Sequence, residues 1–224
     1  MAYAVRGRSS SLLGASVYRG RRDRPSLALT FDDGPSERTV DLLSLLSREG
    51  VCATFFLCGA NVVRLPEVAR EISAGGHEIG NHSHTHPLFC FRSPGFIESE
   101  FRRAQEAIEV TTGKTPKLLR APFGVRWFGF RRMQRRLGLL GVMWTVIGLD
   151  WKLPAKDIVQ RVAGRIGSPG QSVNGSIICL HDGRETRPHP DISVTLEAVA
   201  QLIPLFRERG FAFETVSQIL CPTT

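Results

Sequence analysis

A chain of 224 residues, 42% hydrophobic and 22% charged, is long enough for one domain with a full core and excludes a disordered polypeptide. The formal net charge of +8 favours anionic partners over cationic ones. The longest apolar run, LGLLGVMWTVIGL at 137–149, is too short to span a bilayer and reads as a buried strand with its lead-in, so no transmembrane segment is expected.

The first 25 residues form an arginine-rich arm, with six arginines between Arg6 and Arg24. They contain no apolar stretch of signal-peptide length, so no export signal is expected. A second arginine cluster, Arg131, Arg132, Arg135 and Arg136, lies in FRRMQRRLG. Both clusters suit an anionic envelope surface, or else a solvated helix face and a loose arm. No stacking aromatics accompany them, so a nucleic-acid partner is not expected.

From residue 26 onward strand-like runs alternate with helix-like runs. SLALTF (26–31) leads into ERTVDLLSLLSRE, where Val40, Leu43 and Leu46 fall at helical spacing. ATFFLC (53–58) precedes PEVAREISA, with Pro66 in a first-turn position and Gly75 as the stop. HEIGNH (77–82) is a third strand, and the next helix carries Ile97, Phe101, Ala104 and Ile108 on one face. KLLRAP (117–122), GVMWTVIG (141–148) and SIICLH (176–181) are further strands, the last two separated by the helix AKDIVQRVAGRI. A long helix from Ile192, bent at Pro204, leads to FAFETV (211–216). The pattern is about seven βα units, which argues for parallel strands with right-handed crossovers in one domain spanning 26–224. Five cysteines without a CxxC pair indicate reduced thiols rather than a disulfide framework or a cysteine metal site.

In parallel α/β folds ligands bind at the carboxyl ends of the strands. Those ends carry Asp32 and Asp33, then His82, His84 and His86, then Arg120, Asp150 with Trp151, and His181 with Asp182. Asp-Asp-Gly-Pro is also an ordinary turn sequence, and HSHTHP taken alone is also a polar surface turn. His82 and His86, four residues apart, can share one face, and either Asp32 or Asp33 can complete a His₂-carboxylate metal triad. His84, between them, should point away, and Asp182 reads as a turn or supporting group.

The stretches TFDDGP, HSHTH, RAPFG, LDW and CLHDG, in this order, resemble the motifs of the polysaccharide deacetylase family (the NodB-homology, carbohydrate esterase 4 domain). The resemblance runs from about Ser26 to Ser217. It implies an irregular (β/α)₇ barrel and metal-dependent removal of N-acetyl groups from amino sugars. Carried over, Asp33, His82 and His86 bind a divalent metal, zinc first, with Co²⁺ or Ni²⁺ as alternatives. Asp32 is the general base and His181 the general acid, Arg120 holds the base, and Asp150 tunes His181. Phe123 contributes a backbone N–H to the oxyanion, and Trp151 and Leu180 line the acetyl pocket. Ile147 stands where the family often has an acid, and Phe123 where it often has Tyr.

The expected substrate is a peptidoglycan- or chitin-like carbohydrate bearing N-acetyl groups, handled by a monomer that is either envelope-associated or cytoplasmic. Two other functions remain open on the sequence: a deformylase or amidase acting on a lipid-linked or small sugar, and a catalytically silent carbohydrate binder.

Overall fold

Residues 26–34, SLALTFDDG, are buried along their whole length and sit at the centre of the sheet. In a computed structural model that describes residues 2–221, this segment is β2 (Ser26–Gly34). The other strands are β1 (Ser16–Val17), β3 (Thr54–Leu57), β4 (Glu78–Asn81), β5 (Leu118–Leu119), β6 (Leu140–Val142), β7 (Val146–Ile147), β8 (Ser176–His181) and β9 (Ala212–Phe213). The helices before the middle of the chain are α1 (Ala2–Arg6), α2 (Thr39–Arg48), α3 (Gly59–Arg64), α4 (Pro66–Ala74) and α5 (Pro94–Thr112). Those after it are α6 (Phe130–Leu137), α7 (Ala155–Ile166), α8 (Ser193–Glu208) and α9 (Val216–Leu220). Met1 and residues 222–224, the outer ends of the two expected segments, lie outside the described residues.

The strands hydrogen-bond in the order β1-β6-β5-β4-β3-β2-β8-β7, with β9 beside β2, and every strand pairing is parallel. The run expected as one strand at 141–148 divides in two: β6 pairs with β5, while β7 pairs with β8. Only residues 143–145 separate them, so the chain itself brings the β7 end of the sheet back toward β6, next to the other end, and curls the sheet into the irregular (β/α)₇ barrel. Two further expectations are trimmed. Strand pairing at 117–122 is confined to Leu118–Leu119 and that at 211–216 to Ala212–Phe213, while α8 runs through Pro204 as one helix.

Strand alternation sorts the side chains. Leu27, Leu29 and Phe31 of β2, Phe55 and Leu57 of β3, and Ile178 and Leu180 of β8 join the core shared with α2, α4, α7 and α8. Ala28, Phe56 and Ile177 take the opposite parity and meet Val216 and Ile219 of α9 in a second cluster. α5 buries the Ile97, Phe101, Ala104 and Ile108 face that its spacing predicts, is capped by the Ser93 hydroxyl, and ends at Gly113 with φ 68°.

Residues 2–25 are not a loose arm. Val5 is buried, β1 adds to β6, and the buried Arg126 guanidinium donates to the Gly7 and Ser10 carbonyls (both 2.5 Å) and to the Ser16 hydroxyl (2.7 Å). Segment and barrel share one packed body because a buried guanidinium needs acceptors and this segment supplies them. The arginines of α6 remain exposed, as a solvated face, with Arg136 paired to Glu98 (2.8 Å).

The barrel interior also holds a fully buried ion pair. Arg120 Nη1 donates to Asp32 Oδ1 (2.6 Å) and to the Thr30 hydroxyl (2.8 Å), Nε donates to the Val142 carbonyl (3.2 Å), and the guanidinium stacks 4.1 Å from the Phe56 ring centre. Arg120→Met strands the Asp32 charge and is expected to cost about 3–5 kcal/mol in urea unfolding. The double variant Arg120→Met/Asp32→Leu is expected to recover part of that loss, because it removes the stranded charge.

Candidate functional site

Asp32 and Asp33 are neighbours on β2, so a regular strand would send them to opposite faces. The ladder with β3 shows how both reach the rim: Asp32 is opposite Phe56 and Gly34 is opposite Leu57, leaving Asp33 unpaired in a bulge with φ 72°. Gly34 is required next, since a Cβ there would lie 2.2 Å from Asp182 Oδ2. The released Asp33 carboxylate accepts the Glu185 N–H on Oδ2 (2.8 Å) and turns Oδ1 toward His82 Nε2 (3.3 Å) and His86 Nε2 (3.1 Å).

These three side chains are buried, and their ligating atoms lie within 4.8 Å of one another. His82 Nδ1 lies 2.8 Å from the Arg120 carbonyl, which can only accept, so that nitrogen carries the proton and the Nε2 lone pair is free. Asp33 Oδ1 is buried without a hydrogen-bond partner. Burial pushes the Asp33 carboxyl up, but the two imidazoles outweigh it and hold the group well below the usual carboxylate range. An anionic oxygen and a free imidazole nitrogen facing a buried, unsatisfied point fit a divalent cation of the zinc class. The His86 backbone sits at φ 57°, and its N–H donates to the Ser83 hydroxyl (3.2 Å).

A second convergence, Asp32, Cys179 and His181, has the same 4.8 Å spread but different chemistry. Asp32 Oδ1 is occupied by Arg120, and the Cys179 thiol donates to Oδ2 (3.5 Å). Burial, reinforced by Asp32, pushes that thiol well above its ordinary value, so it is not a thiolate ligand. His181 Nδ1 and backbone N both bond Asp150 (2.8 Å each), and Thr195 donates to the same carboxylate (2.7 Å). With Nδ1 turned to Asp150, Nε2 is the nitrogen left for chemistry. Burial pushes the His181 imidazole down, yet Asp150 and the nearby Asp33 and Asp32 outweigh this and raise it to about 9. Asp182, by contrast, is pushed up to about 7 by burial and accepts from Thr39 (2.6 Å). It packs against Gly34 in the supporting role the sequence suggests.

A cavity of about 550 Å³ opens over these groups, with Asp32, Asp33, His82, His86, Phe123, Trp151 and His181 among its walls. Phe123, at φ 56°, sets its ring edge-on to His86 (4.7 Å between centres), and Trp151 does the same to His181 (4.9 Å). Leu180 is a correction. It lies in the outer core, while Cys179 and Ile147 line the cavity. Strand parity gives the reason and was available in the sequence: if His181 faces inward, so does Cys179, and Leu180 cannot. His84 is outside the ligand cluster, its Nδ1 turned toward Gly59.

Sequence reasoning missed the second layer of contacts. Asn61 donates to the Asp33 carbonyl (2.7 Å) and the Glu185 carbonyl (2.9 Å), Thr195 orients Asp150, and Arg184 donates to the Asp150 carbonyl (3.1 Å). None of these carries a local motif, because each meets the site only through the fold.

Comparison with known proteins adds an independent line. The family model described as polysaccharide deacetylase matches residues 19–142. A chitooligosaccharide deacetylase from Bradyrhizobium sp. (strain ANU 289) is 36% identical over 87% of this chain and 90% of its own length. A crystal structure of the Bc1960 peptidoglycan N-acetylglucosamine deacetylase superposes with a TM-score of 0.81 at 29% identity, covering 90% of this chain and 91% of that one. The Bacillus anthracis protein BA3943, described as a CE4 family pseudoenzyme, gives a TM-score of 0.82 at 27% identity, covering 92% of this chain and 69% of that one.

Protein purified without chelator is expected to carry about one divalent ion per chain, read by elemental analysis. Asp33→Ala and His82→Ala should lose it, whereas Asp32→Asn should retain it. Equal loss from Asp32→Asn and Asp33→Ala would show that the two carboxylates do not divide their roles this way.

Proposed function

Because the chain belongs to the polysaccharide deacetylase family, we propose that it is a hydrolase removing N-acetyl groups from amino-sugar residues of a peptidoglycan- or chitin-like carbohydrate in the cell envelope. The observation that carries this reading is the placement of a carboxylate, Asp32, and an imidazole, His181, on one cavity beside the Asp33–His82–His86 donor set. A divalent ion on that set, zinc foremost, supplies Lewis acidity to the amide carbonyl and lowers the pKa of water.

The chain's own residues supply the proton transfers. Asp32 takes a proton from the attacking water, while Arg120 fixes the carboxylate through Oδ1 (2.6 Å) and Oδ2 meets the Cys179 thiol (3.5 Å), which also lines the cavity. His181 Nε2 delivers a proton to the leaving amine nitrogen, and Asp150 keeps the imidazole protonated and oriented through the 2.8 Å bond at Nδ1. The Phe123 N–H is the fixed donor for the developing oxyanion. Trp151, Ile147 and Cys179 wall the space for the acetyl methyl, Cys179 replacing Leu180 in that role.

A silent carbohydrate binder is the rival reading, since the fold also serves a pseudoenzyme. The full set Asp32, Asp33, His82, His86 and His181, converging as it does, favours turnover. Assays for released acetate and formate, across N-acetylated sugars of increasing length with metal-reconstituted protein, separate deacetylation, deformylation and silence. No acetate from any N-acetylated sugar would sink the proposal.

Two outcomes follow for variants and pH. Asp32→Asn should lower turnover at least about 10²-fold, the usual scale for a lost general base. Activity should fall at high pH as His181 loses its proton, with the limb near its raised value of about 9. Asp150→Asn should move that limb toward lower pH with a lower maximum, and a superimposable profile would overturn the pairing. Stability carries the same sign. The contribution of the protonated His181 is fully present below the unfolded value of about 6.5 and is lost as pH rises through the folded value.

A further inference from the structure

The cavity that holds the catalytic groups is rimmed by three arginines, Arg6, Arg184 and Arg187, drawn from two distant parts of the chain. Arg6 comes from α1, at the start of the chain, and the other two come from the loop after β8. The acids on the cavity floor do not account for Arg6 and Arg187. Asp32 is matched by Arg120, Asp150 by His181, and Asp33 by the His82 and His86 nitrogens. Arg184 lies 4.0 Å from Asp150 Oδ2 and is anchored through backbone carbonyls, its side chain about a fifth exposed (21%). Arg187 is 74% exposed and reaches the one rim acid, Glu185, only at 4.0 Å. Arg6 is exposed and makes no ion pair or side-chain hydrogen bond among the described residues.

A neutral acetamido sugar offers only hydroxyls and an amide to such a rim. Guanidinium groups are the side chains best matched to carboxylate and phosphate oxygens, which they bind through paired, charge-assisted hydrogen bonds. We propose that this cavity selects amino sugars carrying an anionic substituent, a carboxylate or phosphate on or next to the ring that loses its acetyl group, and that Arg6 and Arg187 hold that anion. The proposal rests on the deacetylase reading and narrows its substrate class. It also gives the amino-terminal segment a role in binding, because the docking of residues 2–25 on Arg126 carries α1 to the cavity mouth.

The test compares three soluble probes with metal-loaded protein. They are the neutral N-acetylglucosamine disaccharide, the disaccharide of N-acetylglucosamine and N-acetylmuramic acid (carboxylate), and N-acetylglucosamine 1-phosphate (phosphate). The quantity read is the ratio of kcat/KM for each anionic probe to that for the neutral one. At least one ratio is expected to exceed about tenfold, the scale of one charge-assisted hydrogen bond, and the probe that shows it identifies the anion. The ratio should shrink with added salt. Arg6→Ala/Arg187→Ala should collapse it through KM rather than kcat, and Arg6→Lys/Arg187→Lys should restore part of it. Ratios near one for both anionic probes in the wild-type protein overturn the proposal, as does a preference that survives the double alanine variant. Should no probe release acetate, the deacetylase reading fails separately, and calorimetric binding of the same probes decides. Tighter binding of an anionic probe, lost in the double variant, upholds the anion site, and equal binding of all three overturns it.

Discussion

The Arg120–Asp32 pair is the constraint around which the barrel and its chemistry are arranged. A guanidinium with no exposed surface must have its donors satisfied, and Arg120 does this with Asp32 and Thr30 of β2, the Val142 carbonyl of β6, and the faces of Phe56 and Trp144. These partners come from different parts of the barrel wall, so the ion pair ties the wall together across its interior. The same bond fixes one oxygen of Asp32, and the other meets the Cys179 thiol. A hydrophobic plug would fill the interior at lower desolvation cost, but it would leave the carboxylate without a partner or a fixed direction.

Around that pair the backbone takes conformations that ordinary strands and helices avoid. Asp33, Ser83, His86, Phe123, Leu149 and Glu185 all have φ between 56° and 72°, Asp33 in the bulge near the end of β2 and the others outside the strands. Left-handed conformations at non-glycine residues are unfavourable and persist where the surroundings impose them. At Asp33 and Glu185 the turned backbone brings the carboxylate of one to the N–H of the other. Asp33 is the clearest case, since its bulge brings two adjacent carboxylates to one rim and separates their partners, Arg120 for one and the imidazoles for the other.

Proton supply is handled by a second buried pair of opposite logic. Asp150 is held below the usual carboxylate range against the pull of burial, chiefly by His181, and its own lone pairs are shared with the His181 backbone and Thr195. His181 is raised by the same contact. One cavity thus contains a carboxylate fixed by a guanidinium and an imidazole that its carboxylate partner keeps protonated, the combination the proposed amide hydrolysis would use.

The sequence by itself determined the alternation of strands and helices, the crowding of Asp32, Asp33, His82, His86, Arg120, Asp150 and His181 at strand ends, and the α5 face that enters the core. These are short-range properties: hydrophobic period, turn chemistry and the position of a polar residue at the end of an apolar run. Only the tertiary structure decided what depends on partners distant in sequence. It split 141–148 into two strands because each half has a different neighbour, and it docked residues 2–25 because Arg126, more than a hundred residues away, needed acceptors. It placed Cys179 rather than Leu180 in the pocket, although here the sequence held the answer in its strand parity. The arginines at the cavity mouth were visible as composition from the start, but their location was not. Charge can be counted along a chain, while the fact that residue 6 and residue 187 line one cavity is set by the closure of the barrel between them.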